Sequence, residues 1–254
     1  MRRCFSGLLM VLAIPAAFGS AHVLAADAPS PSVTINLGSR QATATPIREG
    51  FTHTGGGNID VAQPTPDALV VTMTGVAVAG AHPCKDSVAT LNFDLDQDFE
   101  ITFEKPEVKK AKLTVEARLI GLLRTNSKGG GSAEVCAPHI LITCGKTDVI
   151  AFEFPGRSVA GGENLSINDR KGPETIPVIA GKYTLHQLFG ITAAHPRSLR
   201  PCKAASVEFA PDPALDPLWI SYWEPFHGGN KKDFGFQIIL KVAPETEAAD
   251  KNKP

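Results

Sequence analysis

The sequence predicts an all-β protein, an antiparallel β-sandwich of the Greek-key or jelly-roll type with little helix. Apolar and polar residues alternate over the long stretch 88–104 and over several shorter stretches, which is the period of extended chain. The 254 residues include 23 Gly and 20 Pro, enough to end each of these stretches in a turn. An even number of cysteines beyond residue 25 suits a disulfide-bonded exported domain.

The N-terminus has the features of an export signal. Arg2 and Arg3 precede an apolar run from Leu8 to Phe18, and Val23–Ala25 fits the spacing of a cleavage site. The run is shorter than the ~20 residues that a membrane-spanning helix needs. We therefore predict a signal peptide over 1–25 and a secreted or periplasmic protein, with no transmembrane segment after signal removal.

One domain follows the signal peptide. A flexible leader is predicted over 26–32, a β-sandwich domain over 33–243 and a disordered tail over 244–254. The sequence Ala81-His82-Pro83-Cys84-Lys85 recurs in two pieces, as residues 194–196 and 201–203. This repeat leaves open that the domain consists of two related halves with a boundary near 155–175. Lys and Arg total 25 against 26 Asp and Glu, a formal net charge of −1. The overall charge therefore favours neither nucleic acid nor an anionic membrane as partner.

The individual strands are predicted wherever β-branched alternation runs between turn residues. In chain order they are 33–37, 58–62, 68–79, 88–104, 111–123, 134–143, 149–154, 202–209, 218–223 and 234–242. The chain between Gly38 and Gln63 is otherwise expected to be irregular, because it contains three successive glycines. A single helical turn is expected over His186–Ile191.

A short phrase supports the sandwich architecture. Residues 180–185 read Ala-Gly-Lys-Tyr-Thr-Leu, and this entry into a strand resembles the tyrosine-corner strand of Greek-key sandwiches. In that family the phenol hydrogen-bonds back to the preceding turn. The resemblance implies the same bond for Tyr183, and it implies no function.

The stretch 88–104 also carries the only dense acidic cluster of the sequence. Asp94, Asp96 and Asp98 offer the hard oxygen ligands that calcium prefers, which predicts a calcium site. On a straight strand these carboxylates lie ~7 Å apart, so chelation requires the chain to turn at 96–98. The stretch is therefore predicted to be either one long strand or a hairpin pinched at that point.

Two other interpretations of the acidic cluster compete with calcium. The alternating acids resemble the catalytic strand of jelly-roll glucanases, which implies a polysaccharide hydrolase, but no Glu stands at the nucleophile position. The purely structural interpretation is that the acidic side chains form the solvent-exposed face of a strand. The following strand carries Lys109, Lys110, Lys112 and Arg118, and it is predicted to lie beside the acids and pair with them.

The second candidate site is aromatic. Trp219, Tyr222 and Trp223 fall within five residues of one predicted strand. If exposed, they would stack on sugar rings; if buried, they belong to the core. They are the predicted ligand-binding residues, with a carbohydrate or a protein surface as partner.

The cysteines are expected to form two disulfides. Cys136 and Cys144 are close enough in sequence to suggest a local bridge, which leaves Cys84 with Cys202.

No complete catalytic motif occurs in the sequence, and no cofactor other than calcium is implied. We predict an exported, non-enzymatic binding or envelope-associated protein. The alternatives are a polysaccharide-acting hydrolase that uses the acidic face and a calcium-dependent binding module.

Overall fold

A computed structural model of the chain describes residues 32–50, 52–80, 84–106, 108–125, 130–197, 205–208 and 235–245. Within these ranges the chain forms strands and no helix, and hence no helix that could cross a membrane. The strands are β1 (Val33–Glu49), β2 (Thr52–Thr65), β3 (Ala68–Ala79), β4 (Ser87–Phe103), β5 (Ala111–Arg124), β6 (Ser132–Cys144), β7 (Thr147–Glu153), β8 (Arg157–Ala160), β9 (Asn164–Val178), β10 (Gly181–His195), β11 (Ala205–Glu208) and β12 (Gly235–Pro244).

Two antiparallel sheets pack against each other, which confirms the predicted β-sandwich. Sheet A has the order β1-β4-β10-β6-β7, with β8 beside β6. Sheet B has the order β11-β3-β12-β5-β9, with β2 beside β3. The described residues, from 32 onward, form one compact unit. Strands from both sides of 155–175 are neighbours in each sheet, as in the β4–β10 and β5–β12 pairs. A relationship between the two halves stays a prediction.

The core lies between the inner faces of the two sheets, and it follows the predicted alternation. Phe93 of β4 stacks on Phe189 of β10 with the ring centroids 5.3 Å apart. Phe236 of β12 contacts Phe189 from the opposite sheet at 5.5 Å and meets Phe154 edge to face. Each pair is worth about 0.5–1.5 kcal/mol beyond the area that it buries, and the Phe189–Phe236 pair joins sheet A to sheet B.

Strand β4 runs straight through 96–98, so the alternative of one long strand is confirmed. The irregularity lies instead in β1, whose register against β4 shifts between Leu37 and Arg40. A Cβ at Gly38 would lie 2.9 Å from the Cβ of Asp98, so the close approach at this bulge requires glycine. Gln97 interrupts the apolar face of β4, but its amide donates to the backbone carbonyls of Ser39 and Asp98. The bulge thus provides the partner that a buried amide needs.

Two local predictions are wrong. The chain expected to be irregular over 38–63 forms most of β1 and β2. The helical turn expected over His186–Ile191 is the middle of β10, which pairs with β4 on one side and β6 on the other. Hydrogen bonds from two neighbouring strands outweigh a weak local preference for helix.

Strand β9 was not predicted, and the disordered C-terminal tail was predicted to begin at residue 244, although β12 extends to Pro244. β9 contains Pro173 and Pro177, which weaken its strand signal, but it pairs only with β5 in the described part of the chain, and an edge strand tolerates proline. At the C-terminus β12 includes Pro244, and the amide of Glu245 donates to the carbonyl of Lys110. The chain from 246 onward lies outside the described residues.

The predicted pairing of the basic strand with the acidic strand is wrong. β5, which carries Lys112 and Arg118, lies in sheet B, whereas β4 lies in sheet A. Arg118 instead pairs at 2.8 Å with Glu116 of its own strand, and Glu116 also binds Arg170 of β9 at 2.8 Å. Both strands carry an apolar face, and both faces are buried between the sheets because the connection crosses from one sheet to the other.

Candidate functional site

The acidic residues lie on the outer face of sheet A, here called the polar face. It comprises the outward side chains of β4, β10 and β6, above all Asp94, Asp96, Asp98, Thr143 and His186. Antiparallel pairing places Asp96 opposite His186. Because β4 is straight, the three aspartates keep the ~7 Å spacing of alternate strand positions.

Asp98 is held by the β1 bulge and by β10. The Ser39 hydroxyl donates to one of its carboxylate oxygens, and the Thr184 hydroxyl donates to the other at 2.8 Å. The hydrogen bonds from Ser39 and Thr184 hold the pKa of Asp98 below its usual value, against the smaller opposing effect of partial burial. Asp98 is therefore a stabilised carboxylate, poorly suited to donate a proton.

Three side chains from three strands of the polar face form a hydrogen-bonded row. His186 Nδ1 lies 2.6 Å from a carboxylate oxygen of Asp96, and His186 Nε2 lies 3.3 Å from the Thr143 hydroxyl. With the ring proton on Nδ1, the imidazole donates to Asp96 and accepts from Thr143. This hydroxyl–imidazole–carboxylate order also occurs in hydrolytic triads. Here, however, the His186 and Asp96 side chains are 41% and 49% exposed on an open sheet, where water competes for the same bonds.

The three aspartates lie on one surface, but their carboxylates do not converge on one point. Among the residues that the structure describes, no three His, Cys, Asp or Glu side chains are grouped so that they could hold a metal ion. Asp96 and Asp98 instead bond to neighbouring strands. The calcium prediction thus gains no support from Asp94, Asp96 and Asp98, and it stays a prediction.

The predicted local disulfide is wrong. Cys136 and Cys144 both have free thiols and lie in the same strand, β6. Eight residues of extended chain separate their Cα atoms by roughly 25 Å, whereas a disulfide requires less than about 7 Å. Cys202 lies outside the described residues, as do Trp219, Tyr222 and Trp223. The Cys84–Cys202 bridge and the aromatic ligand site stay predictions, and so does the signal peptide.

A second candidate site is an open groove at one end of the sandwich, here called the end groove. Its volume is about 490 Å³, within the 300–1,000 Å³ typical of ligand sites. The residues that line it are Lys110, Cys144, Thr147, Val149, Pro177, Val178, Ile179 and Tyr183.

The end groove forms where the last strands of the two sheets meet. In the described chain β7 pairs only with β6 in sheet A, and β9 pairs only with β5 in sheet B. Val149 comes from β7 and Pro177 from β9, so each wall belongs to a different sheet. Ile179 follows β9 and is 61% exposed at the rim. A large apolar side chain in that position leaves apolar surface in water unless a ligand covers it.

Tyr183 lines the end groove and is buried. Its hydroxyl donates to the carbonyl of Ile179 at 2.9 Å, which confirms the predicted bond back to the turn. Burial raises the pKa of Tyr183, the bond to the Ile179 carbonyl opposes that effect, and the hydrogen-bonded thiol of Cys144 raises it further. The tyrosine is therefore neutral at physiological pH, and it fixes the turn that carries Ile179.

Sequence reasoning assigned Tyr183, Cys144 and Lys110 to other roles and did not bring them together. Tyr183 was expected at a turn, Cys144 in a disulfide and Lys110 beside the acids. The usable signal was the apolar run Ile-Pro-Val-Ile that ends at Ile179, directly before the Ala-Gly turn. Apolar residues that precede a turn indicate a surface that a ligand or another molecule covers.

No family model, no curated protein and no solved structure matches this chain. The function must therefore be inferred from its own geometry and chemistry.

Proposed function

We propose that this protein is an exported, non-enzymatic binding module that holds an apolar ligand in the end groove. The observation that carries the proposal is the apolar lining of this groove. Val149, Pro177, Val178 and Ile179 face a space of about 490 Å³ between the two sheets. Water in such a space loses hydrogen bonds, so an apolar ligand that displaces it gains free energy.

The arrangement of polar groups also favours binding over catalysis. In the end groove the Tyr183 hydroxyl already donates to the Ile179 carbonyl. On the polar face Asp98 is held ionised by two hydroxyl donors, whereas a glycosidase acid needs a raised pKa. The polar face thus stiffens sheet A, and the end groove is left as the surface for a ligand.

The two free thiols of β6 allow a direct test. Cys144 lines the end groove, and Cys136 lies exposed elsewhere on β6. An uncharged fluorescent probe such as N-phenyl-naphthylamine should slow the alkylation of Cys144 by iodoacetamide. It should leave the alkylation of Cys136 unchanged, because that thiol lies outside the groove. Peptide mass spectrometry on the mature protein measures both rates in one sample.

Cys136 is the internal control for this experiment. Burial, together with the nearby Glu134 carboxylate, raises the pKa of Cys136, which slows the alkylation of this thiol at neutral pH. The informative quantity is therefore the ratio of each rate with and without the probe. Equal ratios at the two cysteines, with no rise in probe fluorescence, would contradict the proposed function.

A further inference from the structure

We infer that the ligand of the end groove is a free single-chain carboxylate of the fatty-acid type. The inference rests on the proposed function and adds the charge of the ligand's head group. The hydrocarbon chain lies between Val149 of β7 and Val178 of β9, and the carboxylate lies at Lys110.

The charge of the lining selects an anionic head group. Lys110 is the only charged residue among those that line the groove, and it makes no ion pair within the described part of the chain. An ammonium at the rim of an apolar space attracts a carboxylate and repels a cation. The ligand therefore carries negative charge at one end.

Neighbouring residues strengthen this selection. Lys109 precedes Lys110 in the segment before β5, and Lys146 lies in the turn between Cys144 and β7. Asp148 is the one acidic residue interspersed with the lining residues of β7. Glu245 also lies here, because its amide donates to the Lys110 carbonyl, so the residues named at this end are three lysines and two acids.

The body of the ligand must be apolar. The polar groups of Tyr183 and Cys144 are already engaged, since Tyr183 donates to the Ile179 carbonyl and contacts the Cys144 thiol. A sugar or a peptide would leave its own polar groups unpaired against Val149 and Val178, and each such group costs about 1–3 kcal/mol. A hydrocarbon chain has no polar groups to satisfy.

The experiment compares three ligands that share one chain and differ only in the head group. Dodecanoate, dodecanol and dodecyltrimethylammonium are titrated below their critical micelle concentrations, and protection of Cys144 from iodoacetamide gives each dissociation constant. Dodecanoate should bind most tightly and the ammonium compound most weakly. In Lys110→Gln the affinity for dodecanoate should fall about three- to fivefold, as expected for a solvent-accessible ion pair. The affinity for dodecanol should not change.

Lys182→Gln is the matched control. Lys182 is adjacent to Tyr183 in β10 but is exposed on the opposite face of sheet A, so this variant should bind all three ligands as the wild type does. Equal protection by the three ligands, unaffected by Lys110→Gln, would overturn the head-group inference and leave the proposed function standing.

Two further outcomes separate the alternatives. Protection of Cys144 by anionic phospholipid vesicles but not by monomeric dodecanoate would overturn the assignment of a free carboxylate. If neither the three chains nor the uncharged probe protect Cys144, the inference and the proposed function both fail.

Discussion

The polar face and the end groove use their side chains in opposite ways. On the polar face Asp96 bonds to His186, and Asp98 bonds to two hydroxyls. Side chains of neighbouring strands thus provide hydrogen-bond partners for both carboxylates. In the end groove Ile179 and Lys110 have no comparable partner in the described residues. The richer chemistry lies on the polar face, but the unsatisfied surface lies in the groove. Ligand binding is expected where the protein leaves interactions incomplete.

The largest expected effect distinguishes the two regions with a matched pair of substitutions. Ile179 at the groove and Leu188 on the polar face are 61% and 60% exposed, so either residue accepts a polar side chain with little loss of stability. Ile179→Asp should weaken probe and dodecanoate binding more than tenfold, because it removes apolar contact and adds negative charge. Leu188→Asp should leave binding unchanged in the same fluorescence titration.

The reverse result would move the site. If Leu188→Asp abolished binding and Ile179→Asp did not, the ligand surface would be the polar face, as expected for a carbohydrate or protein partner. Melting temperatures of both variants exclude global unfolding as the cause of either result.

An intermediate effect is expected when one hydroxyl is removed from each region. Tyr183→Phe leaves the Ile179 carbonyl without its donor and should lower the free energy of unfolding by about 1 kcal/mol. Thr143→Ala removes a longer bond to a half-exposed histidine and should have less than half that effect. Urea denaturation measures both. Equal losses would show that water cannot replace the Thr143 bond, and the polar face would then be more rigid than its exposure indicates.

The smallest effect concerns pH. The pKa of Asp98 is lower in the folded protein than in the unfolded chain, so its ionised form stabilises the fold. This contribution is present above a pH of about 4 and is lost as the pH falls through the lower folded pKa. Asp98→Asn should therefore differ from the wild type near neutral pH, and the difference should shrink in acid.

Asp94→Asn is the control for the pH prediction. Asp94 is exposed on the same strand face and makes no side-chain hydrogen bond in the part of the chain that the structure describes. Because Asp94→Asn removes no side-chain hydrogen bond, this variant should have nearly the free energy of unfolding of the wild type near neutral pH in urea denaturation. A constant difference for Asp98→Asn would mean that its hydroxyl partners do not favour the charged form.

Several elements could be predicted because their signal is local. The bounds of β3 were predicted as observed, and β4 and β5 within a residue or so, since alternation of apolar residues specifies both the strand and its inner face. The Tyr183 bond also depends on only a few neighbouring residues. β9 was missed because Pro173, Pro177 and its charged residues carry the low β-propensity of an edge strand.

The sites were harder to predict because they join distant segments. The row of Thr143, His186 and Asp96 joins three strands whose register no local pattern reveals. The end groove joins residues 110 and 183 through two sheets. The acidic and basic strands were expected to be paired because they are consecutive and opposite in charge. Burial of two apolar faces stabilises the fold far more than a few exposed ion pairs do. The acidic and basic strands therefore lie in different sheets.

By itself the sequence determined β3, β4 and β5 and which of their faces is buried, because a period of two is visible within a few residues. The tertiary structure decided which sheet each strand joined, where the β1 bulge holds Asp98, and that the edges of β7 and β9 enclose an apolar groove. The physical reason is that backbone pairing between distant strands can satisfy nearly any alternating sequence. Only the requirement to bury every apolar face at once selects one arrangement, and Ile179 marks where that burial is incomplete.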